Sequence, residues 1–384
     1  MGNSGQAMRV EITDATWVKP ATYGPFERVA LRYLKDERDL IFVRTMAGAT
    51  LTIMPMALVL FLSPPWLVGL LALPYVGWVF LAYAARYGLM LHANGHRPIF
   101  KREYRWMSGY VPWVLGPFFG HTPTSFSAHH MWMHHAENNM EGDGSSTLAY
   151  RRDSFLHFLH YWARFFFLGY VHLSRYLVLR GRYKTAWRFF VGESFWYVLA
   201  AVALWLNWAA ALVVFIGPFL LMRWLLMAGN FAQHAFVDVD DPDNPYRNSN
   251  CLINARYNHK AYNDGYHIVH HIRPGMHWSE MPQWFLDHYD RFVEQDAVVF
   301  DGLGDNQQVF WLLMTRRYDT LAEHLVDFRG RTHEQKVEML KSRVQRRRGT
   351  MPRFFHLETR VEASNSRRMT EPELVEALTL GGSV

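Results

Sequence analysis

The stretch Thr45–Ala85 contains no Asp, Glu, Lys or Arg. A helix needs about 20 apolar residues to cross a bilayer, so this stretch is long enough for two crossings. Ser63, Pro64 and Pro65 lie near its middle, where these residue types favour a tight turn. The sequence therefore predicts a helical hairpin with membrane spans at about 45–62 and 66–89. A soluble protein could bury both helices only in a core larger than this chain can surround.

A second apolar stretch runs from Phe189 to about Ala228 and carries only Glu193 and Arg223 as charged residues. Asn207 interrupts it, which predicts a second hairpin with spans at about 189–206 and 208–228 and with Arg223 near its end. Hydrophobic residues make up 50% of the chain and aromatic residues 16%, a composition that suits lipid contact and the membrane interface. The predicted fold class is an all-α integral membrane protein with four transmembrane helices in two hairpins.

The positive charges predict the orientation in the membrane. Lys and Arg flank both hairpins, for example at Arg44, Arg86 and Arg188, but both predicted turns lack them. By the positive-inside rule, the two termini and the long middle region face the cytoplasm, in a bacterial inner membrane or an endoplasmic reticulum. The net charge of +6 is scattered or lies beside apolar runs, which favours anionic lipid and predicts no nucleic-acid partner.

The segment Phe155–Leu179 is apolar and aromatic, but it also holds Arg164, Arg175 and three histidines. This mixture predicts a helix that lies in the membrane interface, at about 155–179, rather than a fifth span. The resulting division is a cytoplasmic N-terminal segment 1–44, a membrane domain 45–302, and a soluble C-terminal region 303–384 whose charged tail is partly disordered.

Histidines carry the strongest chemical signal. The chain has 20 histidines and one cysteine, so any metal chemistry would use imidazole ligands. Four groups of candidate metal ligands flank the predicted spans on the cytoplasmic side: His92 and His96; His130, His134 and His135; Asn230 and His234; His267, His270 and His271.

The spacing within these groups places the imidazoles together. Residues at i, i+3 and i+4 share one face of a helix, so each group can direct its rings to one point. Nine histidines exceed the ligands that one ion accepts, and the count fits two metals. Any single pair is more often a hydrogen-bonded histidine, and the scattered His157, His160 and His172 are interpreted in that way. His129 adjoins the second group, and the helical register favours His130 as the ligand.

The boxes "HANGH", "HHMWMHH" and "HIVHH" resemble those of the integral-membrane fatty acid desaturase and hydroxylase superfamily. The resemblance runs from about Arg44 to Trp278 and includes the order of the boxes and the two hairpins. "NFAQH", at Asn230 and His234, is similar to a further motif of the acyl-CoA members. The first box has three residues between its histidines, as in acyl-lipid members, and the second box also has three where many members have two.

The resemblance implies a helical cytoplasmic cap that holds two iron ions. By similarity the ligands are the nine histidines, with Asn230 reaching a metal directly or through water. It also implies that O2 is activated at the reduced centre, that hydrogen is abstracted from an unactivated C–H bond, and that a fatty acyl chain of a lipid or thioester gains a double bond. The chain lacks the His-Pro-Gly-Gly signature of a fused cytochrome b5, so electrons come from a separate donor of the ferredoxin or cytochrome b5 type.

Several alternatives follow from the same residues. A hydroxylase or ketolase on this scaffold begins with the same hydrogen abstraction, and a more distant alternative is a non-catalytic membrane protein that binds metal. A soluble carboxylate-bridged di-iron site requires Glu-x-x-His motifs, and none occurs in the chain. Carboxylates close to the boxes are candidates to orient the imidazole rings: Asp264, Glu137, Asp143 and Asp238.

Overall fold

The structure is a computed structural model that describes residues 10–354. The predicted disordered tail begins within the C-terminal region, and its part from residue 355 onwards lies outside the described residues. Within the described part of the chain, sixteen α-helices and two short strands form.

The α-helices are α1 (Pro25–Ala30), α2 (Leu40–Leu62), α3 (Pro65–Gly77), α4 (Ala85–His96), α5 (Ser125–His129), α6 (His135–Glu137), α7 (Phe155–Leu179), α8 (Tyr183–Leu206), α9 (Trp208–Ala211), α10 (Gly217–Gln233), α11 (His267–Ile272), α12 (Met281–Asp287), α13 (Tyr289–Gln295), α14 (Asn306–Met314), α15 (Tyr318–His324) and α16 (His333–Arg343). Four π-helical segments, which have wider turns than an α-helix, lie at Trp78–Ala84, Val111–Leu115, His130–His134 and Leu212–Ile216. Short 3₁₀ segments lie at Glu37–Asp39, Arg102–Gly109, Gly116–Phe119 and Trp278–Glu280.

Four continuous helical stretches are long and apolar enough to cross a membrane: Glu37–Leu62, Pro65–His96, Tyr183–Leu206 and Trp208–Gln233. The predicted mostly helical fold with four membrane spans is therefore confirmed. Helix α7 has the bounds that the sequence predicted, and it is not among the four candidate spans. Arg223 lies inside the last of these stretches, ten residues before its end.

The second span extends through the first histidine box. Helix α4 ends only at His96, because Arg97 has an extended backbone conformation and precedes Pro98. A residue before proline is disfavoured in the helical region, which explains the end at this point. His92 and His96 are therefore parts of the helix itself and do not follow it.

By contacts within the chain, the described residues divide into two compact units. The membrane unit comprises Trp17–Ala136 and Gly169–Leu226, and the second unit comprises residues 10–16, Glu137–Leu168 and 227–354. Each unit has its own core, and each contains histidines of the predicted site.

In the membrane unit, Asn207 joins the ends of the two hairpins. Its amide nitrogen donates hydrogen bonds to Phe61 O at 3.2 Å and Ser63 O at 2.9 Å, and its Oδ1 accepts one from Ala210 N at 3.2 Å. These contacts satisfy carbonyl and N–H groups that the helix ends leave without intrahelical partners. The residue that interrupts the second apolar stretch is thus also the cap of α9.

The second unit is built around a two-stranded parallel sheet of β1 (Asn250–Ile253) and β2 (Val298–Asp301), in which Cys251 pairs with Val299. Buried aromatic residues such as Phe285 and Phe292 pack on it together with Ile268 and Val269 of α11. The fully buried Arg152 donates to five carbonyl oxygens, and these belong to Thr147, Tyr150, Ala235, Arg343 and Gln345. The core therefore fixes one face of α11 and leaves its other face to the histidines.

Candidate metal centre

Four histidines of the membrane unit form a compact cluster, which we call cluster A. It consists of His92, His96, His130 and His135, and one ring nitrogen of each lies within 4.8 Å of those of the others. His92 and His96 are one turn apart on α4, and their ring centroids are 4.9 Å apart. The first box and two residues of the second box therefore bring their ring nitrogens close together.

A π-helical turn sets the register of the second box. His130 begins the π segment His130–His134, and His135 follows it directly. Because a π-turn brings i and i+5 together, Nε2 of His130 and Nε2 of His135 approach to 3.0 Å. The i, i+4 pairing of an ordinary helix would instead have aligned His130 with His134, as the sequence suggested.

The distances inside cluster A fit the ligand shell of one metal ion. Nε2 of His130 lies 2.9 Å from Nε2 of His92 and 3.0 Å from Nε2 of His135. A single ring nitrogen carries at most one proton, so it cannot serve two such neighbours as an ordinary hydrogen-bond donor. Two imidazoles bound at right angles to an ion, with bonds of about 2.0–2.1 Å, place their nitrogens about 3 Å apart.

The electrostatics of cluster A favour the ligand form of the rings. Burial lowers the pKa of His130 well below its ordinary value, and the neighbouring imidazoles lower it further. A neutral imidazole has a free lone pair and binds transition metals, whereas an imidazolium does not. His130 is thus neutral near pH 7 and able to bind a cation.

A second cluster, cluster B, lies in the other unit and repeats the pattern. It consists of His234, which directly follows α10, and of His267 and His271, one turn apart on α11. Nε2 of His267 is the central atom, 3.2 Å from Nε2 of His234 and 3.0 Å from Nε2 of His271. As in cluster A, these distances between ring nitrogens fit the ligand shell of one metal ion.

Asn248 orients His234 and was not among the residues singled out from the sequence. Nδ1 of His234 lies 3.0 Å from both the backbone oxygen and Oδ1 of Asn248. These acceptors place the proton on Nδ1 and leave Nε2, the atom within cluster B, with its lone pair. Asn248 lies in a polar loop fourteen residues after His234, and no spacing rule marks it.

Asn248→Ala should lower the affinity of cluster B for metal by about tenfold, the low end for loss of an orienting partner, because the backbone oxygen remains. The measurement is metal retained by purified protein against increasing chelator. Ser249→Ala is the matched control, because the neighbouring Ser249 hydroxyl is buried without a hydrogen-bond partner in the described part of the chain. Equal retention in both variants would contradict the assignment.

The remaining predicted ligands lie beside the clusters. In the membrane unit, the ring centroid of His134 is 5.5 Å from that of His130. In the second unit, the ring centroid of His270 is 6.0 Å from that of His267. His129, the alternative to His130, does not belong to cluster A.

Asn230 is held by its amide nitrogen. This atom donates hydrogen bonds to Tyr161 Oη at 2.7 Å and Ser145 O at 3.2 Å. The nitrogen is therefore occupied, and the oxygen is the atom of this side chain that could bind a metal or a water.

Two of the candidate carboxylates contact other polar residues. Asp238 pairs with Arg343 at 3.3 Å, and Asp264 accepts from Asn306 Nδ2 at 3.4 Å. Burial raises the pKa of Asp264 to about 7. Of the scattered histidines, His157 Nδ1 accepts a hydrogen bond from Arg151 N at 2.8 Å, which is a structural role.

The comparison with known families gives a result that agrees with this geometry. The family model described as "Fatty acid desaturase" matches residues 64–302, which is more than half of the chain. The chain belongs to the fatty acid desaturase family. Searches of curated proteins and of solved structures returned no match. The match includes every residue of clusters A and B, and membership in the fatty acid desaturase family indicates an oxidoreductase that is associated with a membrane.

Proposed function

We propose that the protein is a di-iron, O2-dependent oxidoreductase that introduces a double bond into a fatty acyl chain. The observation that carries this proposal is the convergence of Nε2 atoms in two separate histidine clusters, at spacings that fit one ion each. The match to the fatty acid desaturase family supports it.

In this proposal, ten residues hold the two ions. Clusters A and B supply seven imidazoles, His134 and His270 complete the set of nine, and Asn230 contributes its amide oxygen directly or through water. A ligand set made mostly of neutral imidazoles suits iron, and it contains no cysteine or bridging carboxylate.

A di-iron centre, when bound, supplies the activation of O2 and the abstraction of hydrogen from an unactivated C–H bond. The residues of the chain hold the rings in place and exclude water from them. His134, His234 and His267 are each less than 5% exposed. A buried site protects the reacting chain from side reactions with solvent. The electrons come from a separate donor of the ferredoxin or cytochrome b5 type.

The proposed location follows from the distribution of charge. Four candidate membrane spans whose connecting turns are poor in Lys and Arg support a cytoplasmic location for the histidines, both termini and a helical cap. Helix α7 would then lie in the interface, where Arg164 and Arg175 reach water. A bacterial inner membrane or an endoplasmic reticulum suits this arrangement.

Two measurements test the proposal. Purified protein should contain about two irons per chain, one for each cluster, and lipids of cells that express it should contain a new double bond. A hydroxy or keto product would assign the hydroxylase or ketolase reaction of the same scaffold. Bound metal with no oxygen consumption and no altered lipid would indicate a non-catalytic protein that binds metal.

A further inference from the structure

A second polar group lies inside the membrane unit, apart from the histidine clusters. Glu193 of α8 and Arg223 of α10 are both within candidate membrane spans, and their charged groups are 3.7 Å apart. The Thr122 hydroxyl donates a hydrogen bond to Glu193 Oε1. Ionisable side chains within a membrane are costly and commonly mark a functional site.

Arg223 has a hydrogen-bond donor that the described part of the chain leaves unused. Its guanidinium lies over the Phe219 ring, 4.2 Å from the ring centroid, and its distance to Glu193 exceeds that of a charge-assisted hydrogen bond. Its Nε is buried and has no hydrogen-bond partner among residues 10–354. A buried donor without a partner is expensive, which favours a ligand that accepts from it.

His121 is the second group with unused capacity. Its side chain is 5% exposed, and its Nε2 is buried without a partner in the part of the chain that the structure describes. Burial lowers the pKa of His121 to about 3, and the nearby charge of Arg223 adds to the effect, so the ring is neutral. A neutral ring nitrogen can either donate or accept, depending on the tautomer.

The aromatic ring of Phe126 lies between His121 and two histidines of cluster A. The Phe126 centroid is 6.0 Å from that of His121, 6.0 Å from that of His92 and 5.0 Å from that of His130. Tyr87 also contacts His121, with ring centroids 5.5 Å apart. A molecule bound beside Phe126 would therefore contact His121 with one atom and face cluster A with another.

We propose that His121, Glu193 and Arg223 bind a neutral oxygen-bearing group, a hydroxyl or a carbonyl, of the apolar substrate. The opposite charges of Glu193 and Arg223 cancel and His121 is neutral, so the site does not favour a carboxylate or a phosphate. A hydroxyl can donate to the carboxylate or to His121 and accept from Arg223, and a carbonyl can accept from Arg223. The inference rests on the proposed function, because it concerns the substrate of the same centre.

Three probes of equal chain length test the site: 1-hexadecanol, methyl palmitate and hexadecane. With full-length protein purified in detergent, the melting temperature should rise by about 2–4 °C more with an oxygen-bearing probe than with hexadecane. A response to the alcohol alone assigns a hydroxyl on the chain, and a response to the ester assigns the acyl carbonyl. Equal shifts with all three probes would overturn the proposal.

Variants connect the response to the named residues. Arg223→Met and His121→Phe should each remove the difference in melting temperature between the oxygen-bearing probes and hexadecane. If these variants do not fold, Glu193→Gln replaces them, because it keeps a hydrogen-bond acceptor for Thr122. Thr52→Val is the control, because it removes a hydroxyl that pairs with Trp78 in the same unit. A probe difference that persists in folded Arg223→Met and Glu193→Gln protein would refute the site.

A measurement of iron content distinguishes a failure of this inference from a failure of the proposed function. None of the three residues is a proposed metal ligand, so the variants should retain the wild-type iron content. Loss of the probe difference at full iron content supports the binding site. Protein that never binds iron but still distinguishes the probes would refute the di-iron proposal and leave this site standing.

Discussion

Replacing His130 with alanine should remove the metal of cluster A and reduce oxidation of the acyl chain by at least ~100-fold, since loss of a mere orienting partner already costs 10–100-fold. Its Nε2 is the central atom of the cluster, close to both His92 and His135. The corresponding substitution in cluster B is His267→Ala, and its effect should be similar. Oxygen consumption and product formation measure the activity, and metal analysis of the purified protein measures the iron.

Iron content and activity should respond differently when the two substitutions are combined. Each single variant should retain about one iron per chain, and the double variant should retain almost none, because each cluster is proposed to bind its own ion. Activity should be lost already in each single variant, because the proposed chemistry requires both ions. Additive loss of activity, with partial function in the single variants, would contradict the two-metal proposal.

His129→Ala is the matched control for His130→Ala. The two residues are adjacent, and only His130 belongs to cluster A. Wild-type iron content and activity in His129→Ala protein are the expected result. Loss of iron in this variant, with iron retained in His130→Ala protein, would shift the register of the second box by one residue.

The membrane spans could be predicted from sequence because they depend on composition over about 20 residues. The charge-free stretch Thr45–Ala85 indicates the first hairpin, and Asn207 indicates the turn of the second; both depend on the residue types of the segment itself. The end of the second span could not be read in this way, because α4 continues for seven residues past the predicted limit at 89 and ends at His96. Polar residues near a membrane surface do not interrupt a helix, whereas Pro98 does.

The sequence also indicated the candidate ligands, but not which histidines lie next to each other. A prediction from residue spacing assumes α-helical turns, in which His130 would lie beside His134. The π-turn at His130–His134 instead brings His135 beside His130. The widened turn depends on tertiary packing, which no pattern of single residues shows. Asn248 and His121 were missed for a related reason, because their roles come from contacts between residues that are distant in sequence.

Gly192→Ala should destabilise the membrane unit. A Cβ at Gly192 would lie 1.8 Å from Pro123 O and 2.7 Å from Thr124 Oγ1. Helix α8 therefore approaches the backbone of the 120–124 loop as closely as only glycine permits, an arrangement common between membrane helices. The loop leads directly into α5 and the second histidine box, so any displacement would reach cluster A.

The backbone of the loop has little freedom to yield. Thr124 already has a positive φ of 67°, and its hydroxyl donates to Arg188 O of the same helix α8 at 2.8 Å. Overpacking of this kind costs about 1–3 kcal/mol or more, so the melting temperature should fall by about 5–10 °C and iron content should fall with it.

Gly69→Ala is the control for Gly192→Ala, because it makes the same change in another membrane helix, α3. A Cβ at Gly69 meets no heavy atom within 4 Å, so it causes no clash. Alanine also has the higher helix propensity, which should leave stability unchanged or slightly raised. Equal melting temperatures for the two variants would show that α8 does not require the close approach at Pro123. In that case the packing of Ala128 and Met133 against Leu177 would position the second box.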